Sequence, residues 1–381
     1  MKKILEGLRV VEMGFYAVAP WSAKHLGALG AEVIKLEPPE GEPSHHVAPY
    51  INKTAALYIA ANLNKRHVAL DLKDAARRAA ALELIQGCDI FMENMRPGTC
   101  ERLGFGYEAL RKLNPRLIFA SASAYGHSGE MASQAGADPF VQAFCGWCSV
   151  TGAEGTEGEM LRYMAHLDLT TAAALTEAIL QALVARERHG TGQRIDCSML
   201  SASISLQTTR LAEYLATGKQ PRPAGSTGTL YAPDEAFVCQ DRKYIVVSAT
   251  TQQQWVALCT ALAMPGLAAD ARFAINASRL ANLSELRGLL AGTFKSRPLT
   301  WWLLKLKQQG VPRAAIADFE GVRDSTQVRA NGYLQDLATP HWGEVLVEGM
   351  PWKFDRTPAG PHRPGGLKGE HTDAVMAERT H

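Results

Sequence analysis

The sequence predicts an α/β protein with a mostly parallel sheet. Two patterns carry that expectation. Short apolar runs alternate with stretches of helical periodicity through the first two hundred residues, and beyond residue 220 this gives way to a hairpin pattern followed by three helical stretches. The first pattern builds a parallel sheet covered by helices on both faces, and the second a smaller α+β domain.

Residues 8–13 (LRVVEM) read as a buried strand, 20–29 as a helix stopped by Gly30, and 32–36 (EVIKL) as a second strand with Glu37 just past its end. A βαβ unit with an acid after its second strand has the outline of a dinucleotide site. The first turn reads Gly14-Phe15-Tyr16-Ala17-Val18-Ala19, however, with one glycine where G-x-G-x-x-G has three. The backbone there has no special room for a pyrophosphate, so an NAD-linked oxidoreductase is only the secondary reading. His45 and His46 lie in a loop rich in Pro and Gly. Adjacent side chains point apart, so solvated histidines are expected rather than a shared metal. Strands follow at 67–72, 89–93 and 117–123, with helices at 74–86, capped by Asp74, and at 107–113. Ligands of such sheets bind beyond the carboxyl ends of the strands. That rule singles out the loops at 14–18, at Lys73, at 94–102 and at 125–129.

The chain is organised around residues 161–200. A lone acid, Asp168, precedes a long Ala/Leu/Ile run that ends in Arg186-Glu187-Arg188-His189 and Gly190. This is a helix with an acidic N-cap, a basic last turn and Gly at C′. Between 172 and 185 only Thr176, Glu177 and Gln181 are polar, so burial nearly all round is expected. The carboxylate at its head is a cap or a nucleophile, and the residues alone leave both open. A strand at 193–197, a helix at 200–216 and a linker at 217–225 come next. A hairpin at 235–240 and 244–249 turns at Asp241-Arg242-Lys243. Helices at 252–263, 283–294 and 299–309, a strand at 343–347 and a tail with many Pro and Gly complete the chain.

A length of 381 residues favours two domains. With 46% hydrophobic residues, 20% charged residues and a net charge of +2, no basic stripe marks a nucleic-acid surface. Glu6 and Arg9 interrupt the apolar core a signal peptide needs, and no run of about 18 uncharged apolar residues offers a membrane span. A cytoplasmic protein with neither nucleic-acid nor membrane partners is expected. Seven scattered cysteines argue against a disulfide framework. Cys145-Gly146-Trp147-Cys148 has the form of a redox motif but sits mid-chain in an apolar stretch, where packing is the expectation; no second pair is spaced for zinc, and no metal is expected.

Five stretches together resemble one family. They are GLRVVEM with GALGAEVIKLEPPEGE, NLNKRHVALDLK, DIFMENMRPGTCERLGFGYEALRKLNPRLIFASASAYG, LDLTTAAALTEAILQALVARERHGTGQRIDCSML, and GEHTDAV near the end. Their order and spacing resemble the class III CoA-transferases, the CaiB/BaiF family, which includes formyl-CoA:oxalate and carnitine CoA-transferases. The match is specific over the first two hundred residues and weak from about 221 to 325. The resemblance implies a Rossmann-like large domain formed by 1–220 and 326–381, an inserted small domain at 221–325, and an interlocked homodimer. It also implies transfer of CoA from an acyl-CoA to a free carboxylic acid through an aspartyl-CoA thioester, with no permanently bound cofactor. The nucleophile matches Asp168. CoA contacts match Ala17 and Val18 in the first loop; Leu70, Asp71, Leu72 and Lys73 after the third strand; and Asn94, Met95, Arg96 and Arg102 after the fourth. Some relatives carry Arg where this chain has Pro38, so one contact is lost or replaced. A glycine-rich lid in relatives matches Gly225-Ser226-Thr227-Gly228. Tyr16, Trp147, His166 and Tyr231 are candidate pocket residues.

Two alternatives remain. The racemase branch of the family needs His before the Asp of a G-H-D segment, whereas this chain reads Gly136-Ala137-Asp138. A non-catalytic CoA-binding subunit is opposed by the presence of Asp168.

Overall fold

The computed structural model describes residues 2–161 and 165–378; Arg162, Tyr163 and Met164 lie outside the described residues. The chain divides into two compact units. One comprises Met1–Trp147, Met160–Lys219 and Thr326–His381, the other Cys148–Glu159 and Gln220–Ser325.

The first unit is built on six parallel strands: β1 Arg9–Met13, β2 Glu32–Glu37, β3 Lys65–Ala69, β4 Ile90–Glu93, β5 Ile118–Ser123 and β6 Arg194–Ser198. Their spatial order is β3-β2-β1-β4-β5-β6. This is the Rossmann-like arrangement expected from sequence. The sheet grows outward in both directions from the β1–β4 pair, and the carboxyl ends of such a pair open a crevice. Apolar side chains fill both faces. Val18, Leu26, Leu167, Leu175 and Ile179 form the core on one side, and Val11, Ile34, Leu84, Ile85 and Phe91 on the other.

The first helix, Val18–Ala28, and the central helix, His166–His189, share the first of these cores. Each runs back against the strands, so both amino ends open at the carboxyl edge of the sheet. The far end of the central helix is anchored by the motif that follows it. Buried Arg186 pairs with Asp89 Oδ1 at 3.1 Å, at the amino edge of β4. Gly190 caps the helix at φ 80°, and Gly192 lies so close to Leu117 that a Cβ would overlap its carbonyl oxygen. Glycine at 192 therefore lets the chain turn tightly into β6 beside β5.

Several expectations are corrected. The strand placed at 67–72 is Lys65–Ala69, because Lys65 is buried against Glu12 and Asn62 at 3.0 and 2.7 Å rather than solvated. The central helix starts two residues before Asp168, with Ala165 at the N-cap position. It is not buried all round: Leu169 and Val184 are exposed, while Thr171, Leu175 and Ile179 are buried. By length and composition this helix is apolar enough to cross a bilayer, yet here it packs into a globular core. The helix expected at 200–216 breaks at Gln207 into Met199–Leu206 and Thr208–Thr217. The Gln207 amide donates to Cys145 O and Ser203 O at 3.1 and 3.0 Å.

In the second unit, the strands Asp234–Val238, Tyr244–Ser248 and Arg313–Ala315 form an antiparallel sheet with the middle one at its centre. Helices Gln252–Ala261, Leu283–Phe294 and Leu299–Gln308 supply buried Trp255, Phe294 and Trp302 to its core. Residues 148–159, which sequence assigns to the large domain, cluster here. Gly225 N–H donates to Gly152 O at 2.9 Å, and Arg287 pairs with Glu154. The Gly225–Gly228 turn is held within this unit, Arg287 also donating to Thr227 at 2.6 Å.

Candidate active site

The head of the central helix carries two acids. Asp168 lies in its first turn. Asp138, at the start of the helix Asp138–Phe144, accepts the Leu167 and Asp168 N–H groups through Oδ2 at 2.8 and 3.1 Å. Gln142 donates to its other oxygen. Asp138 therefore caps the central helix from a distant part of the chain, satisfying donors that the helix leaves without partners. Among the described residues, the Asp168 carboxylate accepts no hydrogen bond. Burial, and secondarily the Asp138 charge, push its pKa up to about 7. Once ionised, a carboxylate with a raised pKa and no hydrogen-bond donors is a stronger nucleophile than a solvated one. The sequence reading named Asp138 only as the partner of a missing His. Its capping role depends on a contact across 29 residues, which local pattern does not reveal.

Three loops leave the carboxyl edge of the sheet, after β1, β3 and β4. In the first, Ala17 and Val18 are buried and the helix Val18–Ala28 has no side-chain cap. After β3, Leu70 is buried, Leu72 is half-buried, and Asp71 and Lys73 are exposed; Asp71 Oδ1 accepts the Lys73 N–H at 3.0 Å. After β4, Met95 is buried and Asn94 half-buried, while Arg96 and Arg102 are exposed. Arg102 donates to Thr99 Oγ1 at 2.9 Å, and no carboxylate among the described residues pairs with Lys73, Arg96 or Arg102. Unpaired cations at a strand edge suit phosphate groups. Glu93, buried beneath this loop, accepts the Met95 N–H at 2.8 Å and the Ser121 hydroxyl. Burial pushes its carboxyl up to about 7.

Beneath the first loop lies a buried polar cluster that sequence reasoning missed. Glu12 contacts Lys65 and Lys35 at 3.0 and 3.4 Å. Lys35 also donates to Gly14 O at 3.0 Å. Glu37, the acid that gave the outline of a dinucleotide site, instead accepts from Tyr58 at 2.9 Å and contacts His45 at 2.7 Å. Burial raises its pKa, but the His45 and His67 contacts and nearby Lys35 outweigh this and hold it low. His45 is therefore not a solvated loop histidine: it stacks on Tyr58 with ring centroids 3.7 Å apart, while His46 is exposed. One acid and two bases set in three neighbouring strands (Glu12 in β1, Lys35 in β2, Lys65 in β3) were the available signal. Near Asp168, His166 stacks against Trp147 with centroids 4.8 Å apart.

The model of CoA-transferase family III matches residues 5–372 of the chain. The chain belongs to CoA-transferase family III. Among curated relatives, family III resemblance extends to the succinyl-CoA:glutarate CoA-transferase of Mus musculus, 32% identical over 379 residues, 99% of this chain and 86% of that protein. The acetyl-CoA:oxalate CoA-transferase of Acetobacter aceti is 32% identical over 372 residues, 97% of this chain and 94% of the other. The crystal structure of a CaiB/BaiF family protein from Brucella suis superposes with a TM-score of 0.91 at 30% identity, covering 100% of both chains. As a family III member the protein is a CoA-transferase, an enzyme whose substrates include CoA thioesters.

Proposed function

We propose that this enzyme moves CoA from an acyl-CoA to a dicarboxylic acid, with Asp168 as nucleophile and an aspartyl-CoA thioester as the covalent intermediate. The observation that carries the reading is the unpaired Asp168 carboxylate at the head of a helix that Asp138 caps in its place. Asp168 attacks the thioester carbonyl, forming a mixed anhydride and expelling CoA thiolate. The thiolate attacks the Asp168 acyl carbon and releases the donor acid as its carboxylate. The acceptor carboxylate then attacks the aspartyl-CoA, giving a second anhydride and CoA thiolate. Attack by that thiolate on the acceptor acyl carbon yields the new acyl-CoA and restores the Asp168 carboxylate. Each exchange is split into smaller steps.

Each attack develops an oxyanion, and the N–H groups of Ala17 and Val18 are the donors we assign to it. Lys73, Arg96 and Arg102 hold CoA phosphates, and half-buried Leu72 lines the apolar part of the CoA path, with Leu70 and Met95 in the core beneath it. The glutarate and oxalate named for the relatives support a dicarboxylate acceptor, with succinyl-CoA a natural first donor to try. Ala137 carries no base where the racemase branch needs His, which weighs against α-proton exchange. The exposed apolar residues Leu169 and Val184 of the central helix, with Leu211, Tyr214 and Leu215 of the helix Thr208–Thr217, are the surface a second copy would bury in a homodimer.

The test is trapping. The enzyme is incubated with a panel of acyl-CoAs, quenched with hydroxylamine or borohydride, and its peptides are mapped by mass spectrometry. A hydroxamate or reduced side chain at Asp168 supports the reading. An unmodified Asp168 across the panel, with CoA binding intact, defeats it.

A further inference from the structure

We propose that Asn94 is a positioning residue of the transfer reaction, acting through the backbone of Phe15 rather than by holding CoA. The proposal rests on the transfer reading above and revises its assignment of Asn94 as a CoA contact.

Backbone pairing between β1 and β4 ends at Met13 and Glu93. Asn94 is the next residue, and its side chain carries the ladder one rung further. Oδ1 accepts the Phe15 N–H at 2.8 Å, and Nδ2 donates to Phe15 O at 2.9 Å. The planar amide thus stands in for a peptide group and holds both polar groups of one loop residue. It does so between the two strands where the sheet's growth reverses, at the mouth of the crevice.

The neighbouring amides are held as firmly by other parts of the chain. Gly14 N–H donates to Glu12 Oε1 at 2.6 Å, and Tyr16 N–H donates to Glu42 Oε2 at 3.2 Å. Three successive N–H groups are therefore taken by three side chains. Tyr16 sits at φ 57°, a left-handed conformation that a bulky residue holds only when its surroundings impose it. Beyond Tyr16 the restraint stops. Ala17 and Val18 have no side-chain acceptor among the described residues, and Pro20 has no N–H. The clamp fixes the direction in which the Ala17 and Val18 donors leave the loop. Such donors stabilise an oxyanion only when their placement costs nothing at the moment of reaction.

A CoA ligand and a positioning residue differ in what their removal changes. The experiment compares full-length wild type with Asn94→Ala and Asn94→Asp. Aspartate keeps the acceptor for the Phe15 N–H but loses the donor to its carbonyl. Three quantities are read: amide exchange in the peptide spanning residues 13–18, the CoA dissociation constant by calorimetry, and kcat and KM with the acyl-CoA that labels Asp168. The clamp predicts Phe15 exchange faster by about tenfold or more in Asn94→Ala and intermediate in Asn94→Asp. It predicts kcat down by about tenfold or more while KM and the CoA dissociation constant stay within about threefold. A CoA dissociation constant raised about tenfold with kcat unchanged would make Asn94 a ligand and overturn the proposal. Unchanged Phe15 exchange in a folded Asn94→Ala overturns it as well. Should wild type show no hydroxamate or reduced side chain at Asp168, the transfer reading fails by itself, and with it the catalytic part of the proposal; exchange and CoA affinity still decide the clamp. If Asn94→Ala does not fold, Asn94→Asp carries the same comparisons.

Discussion

Asp138 Oδ2 accepts the backbone N–H of Asp168 at 3.1 Å, so one acid caps the helix that presents the other. Burial raises the pKa of the presented acid, and the charge of the cap adds to it.

Replacing Asp138 separates these effects. Asp138→Asn keeps an oxygen acceptor for the Leu167 and Asp168 amides but removes the charge. Burial remains the larger cause of the Asp168 shift, so its pKa falls only part of the way from about 7 toward its ordinary value. The rising limb of the pH profile for aspartyl-CoA formation should move to lower pH. Asp138→Ala should in addition lose about 1 kcal/mol of helix-cap stability. A profile that stays in place in Asp138→Asn would remove Asp138 from the electrostatics of the site.

Asp168→Asn should abolish transfer and raise thermal stability. The folded pKa of Asp168 lies above its unfolded value, so the stability linked to its proton is present at low pH and lost as pH rises through about 7. The gain in Tm over wild type should be small near pH 4, grow toward pH 7 and then level off. Thermal melts across that range check it; a Tm below wild type at pH 8 would mean that the ionised acid is welcome in the fold.

Arg96→Ala should weaken CoA binding about tenfold, equivalent to roughly 1.4 kcal/mol, by removing an exposed cation that no protein carboxylate engages. The difference from wild type should shrink with added salt, because exposed charge is screened. Calorimetric titration of CoA at two ionic strengths reads both effects. An affinity difference indifferent to salt would point to packing rather than charge.

Glu12→Ala should be among the single changes most damaging to stability. It strips the counter-charge from fully buried Lys35 and Lys65, and breaking such a group costs about 3–5 kcal/mol. Burial already holds Lys65 down at about 7, against the pull of Glu12. Adding Lys65→Met should recover part of the loss by removing one stranded charge. Urea denaturation of both variants measures it.

The parallel sheet was legible because a strand covered on both faces is written as a near-continuous apolar run, broken in VVEM only by Glu12 and in IFME only by the closing Glu93. The start of β3 was missed for the complementary reason: Lys65 looks solvated until Glu12 and Asn62 fold over it. Asp168 was legible as an isolated acid before an apolar helix, but its task was not. That it leaves the cap to Asp138 is a tertiary fact, set by a contact across 29 residues. The Gln207 break likewise depends on Cys145, 62 residues away.

The tight turn at Gly192 acts on chemistry at the opposite end of the molecule's longest rod. Asp168 and His189 are separated by 21 residues, or about 32 Å of helix. A tilt of one degree about the anchored end would swing the carboxylate by roughly half an ångström, within the range where misplacement slows a reaction. A methyl group at 192, far from any substrate, would thus work as a small displacement on a long lever, detuning attack while leaving every group at the site intact.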